Sequence, residues 1–449
     1  MFKRLLSLAL VIGVGVALLT LVEIPRLQIG SVNEGQLVSV EPKQPQLICP
    51  GPVYVNGGDT GLKLGNFTQS GLSVISGMDG RKPLLSNEFA ARTIDGQKAD
   101  SREFHAVQSQ LARQKLAGGL AATNCIPSQN EAWFVAGDNS VGREALLILV
   151  NPSTVDATVS LQILGTDGPI QGAGLSGISA PAGKVTVLPL AAFAPKVSTF
   201  AVQVSSRGAA LGMWLQQKTI RGLTPGGLDL VGSSPAAQKT VQIPGLFIRA
   251  SEALRTLAAN DLDYGDTKTY LRVVAPGNKD ATFTAQVQGA DGASFGTVIQ
   301  GTVAAGTVRD FELNDLADGN YIVQIDSNEP VLASASFNRI ASGQPDLAWA
   351  TAVNATKLNA GFVTVPGAFS RLSIANPGER AGSFTLNGRT QTIPAASNVE
   401  VILSAGTPYQ LTSTVPVAAS TVIDISSAIA VVPVLDYRSV AGQLRVIVR

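Results

Sequence analysis

Between residues 140 and 435 apolar side chains recur at every second position, and the same series of alternating segments comes round three times. In the first, Val159, Leu161 and Ile163 interleave with Thr158, Ser160 and Gln162. In the second, Phe283, Ala285 and Val287 do so with Thr284 and Gln286; in the third, Phe384 and Leu386 flank Thr385. A period of two describes a strand with one face on a core and the other in water. The signals around this strand keep their order. Asn151-Pro152, Ala275-Pro276 and Asn376-Pro377 precede it, and in the first two copies Asp167-Gly168 and Asp291-Gly292 follow, residues that accept the positive φ of a hairpin turn. A Gly- or Ser-led strand comes next, at 183–190, 306–313 and 397–403. A closing hairpin ends each copy. Its first arm is 200–206, 321–327 or 410–413, and its second begins near Leu211, Pro330 or Pro416.

Pro152 and Pro276 lie 124 residues apart and Pro377 a further 101, so each unit is about the size of one small domain. Val241-Gln-Ile-Pro-Gly-Leu-Phe247 and Val363-Thr-Val-Pro-Gly-Ala-Phe369 introduce the second and third copies, with a degenerate version at Trp133-Phe-Val-Ala-Gly137 before the first. Short strands with Gly, Pro and Asp turns, and no long amphipathic helix between them, predict an all-β fold of tandem antiparallel, Ig-like β-sandwich modules. The alternative is a β-propeller-like array, but propeller blades repeat about every 40–50 residues, less than half of what is seen.

The expected organisation is a cytoplasmic tip and membrane anchor at 1–22, a spacer at 23–44, a β-rich N-terminal domain at 45–130, and sandwich repeats at 131–240, 241–358 and 359–449. One stretch of the N-terminal domain reads two ways. Phe104, Val107 and Leu111 have helical spacing behind Asp100 and Ser101, yet they fit a strand pair equally.

Residues 5–22 form an uninterrupted apolar run behind Lys3 and Arg4. As a helix it reaches roughly 27 Å, close to the hydrocarbon thickness of a bilayer. The basic residues place the N-terminus inside and the remaining chain outside. The run ends Leu21-Val-Glu-Ile-Pro25 without a small-x-small cleavage site, so an uncleaved single-pass anchor is expected, secretion after cleavage being the alternative. Cys49 lies too far along to carry a lipid. An oxidising exterior allows Cys49 and Cys125, the two cysteines, to pair and staple the N-terminal domain; the alternative is two buried thiols.

Composition narrows the partners. The net charge is +1 and only 14% of residues are charged, with no dense basic stretch, so nucleic acid is not an expected partner. Two cysteines and one histidine fall short of the four ligands of a structural zinc site.

The order Asn-Pro, Thr-rich strand, Asp-Gly and Gly-led strand resembles the sandwich repeats of secreted bacterial proteins. With the apolar N-terminus, Cys49-Pro-Gly-Pro52, and Cys125 ahead of Trp133-Phe-Val135, nearly the whole chain resembles an uncharacterised family of membrane-anchored or secreted actinobacterial proteins. The resemblance implies an envelope location and brings no activity, cofactor or catalytic residue with it.

The chain carries little that points to catalysis. His105, the single histidine, sits in Arg102-Glu-Phe-His-Ala106 with no nucleophile signature, and Ser-x-x-Lys and Walker motifs are missing from the sequence. Its one Gly-x-Ser-x-Gly string (Gly292 to Gly296) and its Gly-x-Gly-x-x-Gly string (Gly172 to Gly177) fall in Gly-rich connections between predicted strands, outside the strand-to-helix context that such chemistry needs. Acids such as Asp167, Asp291, Asp315 and Asp318 fall at turns, where solvation explains them better than the paired carboxylates of a glycosidase. Asp261, Asp263 and Asp266 around Gly265 are candidate calcium ligands, though the run lacks the remainder of an EF-hand and an acidic linker accounts for it as well. Trp133, Trp214 and Trp349 are candidates for stacking on a sugar, with core packing as the competing role. The expectation is a non-enzymatic membrane-anchored scaffold or protein-binding component of the cell envelope without a cofactor; a wall-glycan-binding protein is the alternative, and an envelope hydrolase ranks third. The Pro-Gly-x-Phe junctions and Asp-Gly turns are where a partner would be met.

Overall fold

The computed structural model of the chain describes residues 36–39, 46–57, 63–77, 81–83, 91–95, 104–290, 297–313, 316–341, 343–437 and 443–446. The apolar run at 5–22 and the Asp291-Gly292 turn lie outside the described residues. Among those that are described, no helix is long and apolar enough to cross a membrane. The chain divides into two compact units, one of residues 1–43 with 440–449 and one of residues 44–439. In the first, β1 (Gln36–Ser39) pairs antiparallel with the last strand of the chain, Gln443–Val446.

The second unit is all-β and built of antiparallel sheets, as the period of two predicts. The first repeat contains β10 (Glu131–Phe134), β11 (Arg143–Val150), β12 (Ala157–Gly165), β13 (Gly168–Ile170), β14 (Ile178–Ala180), β15 (Val185–Pro189), β16 (Phe200–Arg207), β17 (Gly212–Arg221) and β18 (Thr224–Val231). One sheet runs β10-β16-β12, with β13 and β14 both on β12; the other runs β15-β11-β17-β18. Val159, Leu161 and Ile163 from the first sheet and Leu147, Leu149, Met213 and Leu215 from the second enter one apolar cluster, so the alternating positions do turn inward.

The other two copies reproduce this order. The second has β19 (Gln238–Ile248), β20 (Tyr270–Ala275), β21 (Ala281–Gly289), β22 (Val298–Val303), β23 (Thr307–Glu312), β24 (Gly319–Ala341) and β25 (Gln344–Thr351) in sheets β19-β24-β21-β22 and β23-β20-β24-β25. The long β24 serves both sheets, its first half pairing with β19 and β21 and its second with β20 and β25. An insertion between β19 and β20 holds α1 (Ser251–Asn260) and a 3-10 segment, Leu262–Thr267. The third has β26 (Asn359–Val363), β27 (Phe369–Asn376), β28 (Gly382–Leu386), β29 (Arg389–Ile393), β30 (Ser397–Leu403), β31 (Pro408–Ser413), β32 (Ala418–Ile425) and β33 (Ala428–Pro433), ordered β26-β31-β28-β29 and β30-β27-β32-β33. Asn387 and Gly388, both at positive φ, make the turn between β28 and β29.

The N-terminal segment carries a reduced version: β2 (Gln46–Cys49), β3 (Tyr54–Gly57), β4 (Lys63–Gln69), β5 (Val74–Gly77), β6 (Arg81–Pro83), β7 (Arg92–Asp95), β8 (Ala106–Gln114) and β9 (Ala117–Asn124). Its sheets run β2-β7-β6 and β5-β8-β9, with β3 and β4 a separate pair. The ambiguous stretch around Val107 and Leu111 is therefore strand β8. Its helical spacing arises because Ala106 to Gln110 are buried on both faces, which removes the alternation.

Two copies of the Pro-Gly signature differ in structure. Pro366-Gly367 turns the chain between β26 and β27, but Pro244-Gly245 lies inside β19, where the pairing shifts and Gly245 takes φ +95°. A Cβ at Gly245 would meet Val431 at 3.0 Å, so the bulge lets the second repeat approach the third.

Each of the four units ends in a hairpin with a two-residue turn: β8-β9, β17-β18, β24-β25 and β32-β33. The last strands assemble around a common axis. β9 packs on β18, β18 on β25, β25 on β33, and β33 back on β9. Apolar clusters seal each junction. Ala121 meets Leu228 and Trp214 between the N-terminal unit and the first repeat. Val135 and Ala201 meet Val274 and Leu332 between the first and second. Val422, Ile429 and Val431 join the core of the second. Leu120 and Ala122 meet Ala430 and Val432 to close the ring. Edge strands that would otherwise present unpaired backbone are covered by one another.

Candidate functional site

At the centre of the ring the peptide backbones come too close for side chains. Gly119 of β9 has φ +141°, and a Cβ there would lie 2.2 Å from an oxygen of Asp346 and 2.7 Å from the Leu228 nitrogen. Gly227 of β18 has the same φ, and its Cβ would meet the Leu347 nitrogen at 2.9 Å. Asp346, on β25, is 2% exposed and ties the strands together. Its Oδ2 accepts from the backbone N–H of Leu120 (2.9 Å) and of Ile429 (2.9 Å), and its Oδ1 from Leu228 (3.0 Å) and Leu347 (2.9 Å). One carboxylate thus receives a donor from each of the four last strands. Burial raises its pKa to about 7 against these four N–H donors, which favour the anion. Asp229 makes a second cross-strand link, accepting from Trp349 N–H at 2.7 Å and Leu230 N–H at 2.8 Å. Burial, reinforced by the neighbouring Asp346, holds it well above the usual carboxylate range.

A pit opens at each end of this closed axis. At the hairpin-turn end, a cavity of about 440 Å³ is rimmed by Arg113, Lys115, Leu223 and Ser426 and floored by Asp346. At the other end, the segments that leave β9, β18, β25 and β33 surround a larger cavity of about 560 Å³. Its lining is mostly hydroxyl, amide and proline, with Glu131, Asp436 and Tyr437.

The buried charges away from the axis hold repeats to one another. Arg272, 3% exposed on β20, grips Asp310 through both carboxylate oxygens (2.7 and 2.8 Å) and donates to the carbonyls of Gly137, Phe200 and Ser198 in the first repeat. Its guanidinium also lies 4.8 Å from the Trp349 ring centre.

The residues singled out from sequence fall as follows. Cys49 and Cys125 form the disulfide, with Cα atoms 4.4 Å apart, beside the Ile48–Ile126 backbone bridge. Of the candidate calcium ligands, Asp266 serves the same inter-repeat adhesion as Arg272. Asp266 takes Arg143 at 2.8 Å and Arg221 at 2.6 Å, the Asp263 carbonyl accepts from both arginines, and Asp261 caps the 3-10 segment by accepting the Asp263 N–H. Among the described residues no cluster of three or more His, Cys, Asp or Glu side chains is placed to hold a metal. Trp214 is fully buried and donates its indole N–H to the Asn124 carbonyl (3.2 Å), and Trp349 is buried under Arg272, so neither offers a face for a sugar. Trp133 is half-buried against the cluster between the first and second repeats. His105 is partly buried at the start of β8, away from both pits. Asp167 is exposed at its turn, and Asp318 caps the α1 insertion by accepting from the Ala250 and Ser251 N–H groups.

Sequence reasoning missed the axis because it stopped each repeat one strand early. The last strands lack alternation: Leu228–Val231 and Ala428–Val432 are buried at every position. A continuous apolar run after a two-residue turn, as at Arg221-Gly-Leu-Thr224, was the available signal.

Residues 86–388, about two thirds of the chain, match a family described as of unknown function, DUF5719, and the chain belongs to that family. No curated protein matches it in sequence. Among solved structures, the chain is similar to one titled "Crystal Structure of Thermotoga maritima 1070", at 15% identity and a TM-score of 0.20, over 26% of this chain and 93% of that one.

Proposed function

We propose that this member of the DUF5719 family is a non-catalytic scaffold of the bacterial cell envelope, held by a single membrane segment at 5–22 and displaying a closed ring of four β-sandwich modules outside the membrane. Each module has its two sheets on one core, spanning about 46–126, 131–234, 238–353 and 356–434, and an envelope protein or the wall polymer is the partner. The observation that carries the reading is how the buried ionisable groups are used. Asp346, Asp229 and Arg272, the last together with the half-buried Asp310, are committed to joining strands and repeats, which builds a rigid platform. The Cys49–Cys125 disulfide, fully buried in the N-terminal unit, supports an oxidising exterior. Leu223, 95% exposed at the turn-end rim beside Lys115, supports a protein contact there, since a large apolar side chain at a loop tip gains most from being covered.

The test is made on intact cells. The expected result is cleavage of the chain by an external protease, with Cys49 and Cys125 unreactive to a maleimide in the denatured protein until a reductant is added. Full protection from the protease together with free thiols would overturn the exterior scaffold.

A further inference from the structure

We propose that the pit at the strand-exit end of the axis is a binding site for a neutral, hydroxyl-rich ligand, one to three linked sugar rings in size. Each of the four units contributes one wall, from segments 123–131, 232–236, 352–358 and 433–437, so the site exists only in the closed ring. Its volume of about 560 Å³ is that of a small-molecule site. The chemistry of its lining selects the ligand. Asn124, Gln129, Ser233 and Asn354 present amides and hydroxyls, groups that donate and accept at once and so match the hydroxyls of a sugar. Pro127, Pro235 and Pro433 supply the apolar surface against which the C–H face of a pyranose packs.

Two residues of the lining carry hydroxyls with bonding capacity that the protein does not use. Ser234 is 8% exposed and its Oγ makes no hydrogen bond within the protein, and the Tyr437 hydroxyl is buried in the same condition. Buried polar groups are as a rule satisfied, so these two are the groups of the lining whose demand a ligand could meet. Charge excludes the anionic alternatives. No lysine or arginine lines the pit, and Glu131 and Asp436 do, so a phosphate- or carboxylate-bearing ligand is repelled, whereas the opposite pit carries Arg113 and Lys115. The recognition differs from the stacking expected of Trp214 and Trp349: hydrogen bonding in a pit replaces an exposed aromatic face.

The inference is independent of where the chain resides, because it concerns the purified protein, and failure of either leaves the other standing. The experiment is calorimetric titration of the full chain in detergent with chitotriose and maltotriose as neutral probes and trigalacturonate as the anionic one. Saturable binding of either neutral trisaccharide and none of trigalacturonate is expected. Tyr437→Phe, which removes one oxygen, and Asn354→Ala at the exposed rim should each weaken it about tenfold, with Arg113→Ala at the other pit without effect. Binding of neither neutral probe would overturn the proposal. So would binding that both pit variants leave unchanged, or a preference for trigalacturonate; entry of bound water alone would appear as the first of these.

Discussion

The N-terminal unit and the second repeat fill equivalent places in the ring by opposite means. In the second repeat both sheets have four strands, one continuous strand, β24, threads through them, and its large apolar cluster reaches into the third repeat. Among the described residues, the N-terminal unit has two three-stranded sheets, and in β2-β7-β6 each strand has three or four residues. Where the second repeat has only the Gln242–Val353 backbone bridge between its first strand and the exit from its last, the N-terminal unit has the matching Ile48–Ile126 bridge with the Cys49–Cys125 disulfide directly beside it. A small core buries too little surface to hold its shape, and a covalent link makes up the difference. Equal roles in one assembly therefore do not require equal intrinsic stability, provided the weaker partner is fastened at the point where its chain enters the ring.

Breaking the non-covalent side of this comparison should have the larger effect. Arg272→Met keeps the apolar stem but leaves the half-buried Asp310 without its cation and removes the guanidinium that three carbonyls of the first repeat accept from. Loss of one partner of a buried pair costs about 4 kcal/mol, and the urea midpoint of the whole protein should fall accordingly. A loss below about 1 kcal/mol would mean that apolar packing alone joins the first and second repeats.

The covalent side is tested by the double substitution Cys49→Ser with Cys125→Ser. Chain entropy sets an upper bound of about 4.5 kcal/mol for releasing a loop of 76 residues, and the loss expected in practice is about 3 kcal/mol. Limited proteolysis should then cut first within residues 46–126 while the three repeats stay resistant. Simultaneous cleavage throughout would show that the ring melts as one, and that the staple holds all four units and not its own.

What the sequence disclosed and what it hid divide along the same physical line. Strands with one wet face, such as β12 with Val159, Leu161 and Ile163, announce themselves by alternation, and three copies of that strand exposed the repeat. β18, β25 and β33 have no wet face, because their outer sides are covered by a neighbouring unit, so the local pattern that marks a half-buried strand is erased by the assembly itself. The same holds for site residues. Asp266 reads as a hydrated acid beside Gly265 until Arg143 and Arg221, 123 and 45 residues away, are brought to it. Asp346 in Gly343-Gln-Pro-Asp346 looks like one more turn acid, and its four N–H donors come from strands that no local motif connects. The Cys49–Cys125 pairing was legible because the chain's two cysteines leave a single way to pair.

Asp346 is where the stapled unit and the unstapled repeat meet, and it gives the mildest and most specific test. Asp346→Asn retains one acceptor oxygen and turns an amide N–H₂ toward two backbone donors, either Leu228 and Leu347 or Leu120 and Ile429. Leaving two buried N–H groups unpaired should cost about 2 kcal/mol. The acid has a further signature that the amide lacks. With a folded pKa of about 7, above that of an unfolded aspartate, the folded protein holds a proton that the unfolded chain has released over the interval from about pH 4 to pH 7. The contribution of this group to stability is therefore largest at the acid end, falls as pH rises through that window, and is constant above it. The amide does not titrate, so the difference in urea midpoint between parent and Asp346→Asn should shrink from pH 4 to pH 7 and then level off. Asp229 is also shifted upward, in part by the Asp346 charge, so its own slope is smaller in the amide variant and adds to the same trend. A difference that stays flat across the window would mean that the four N–H donors outweigh burial and keep the carboxylate charged throughout, making the axis a fixed anion clamp with no response to acid.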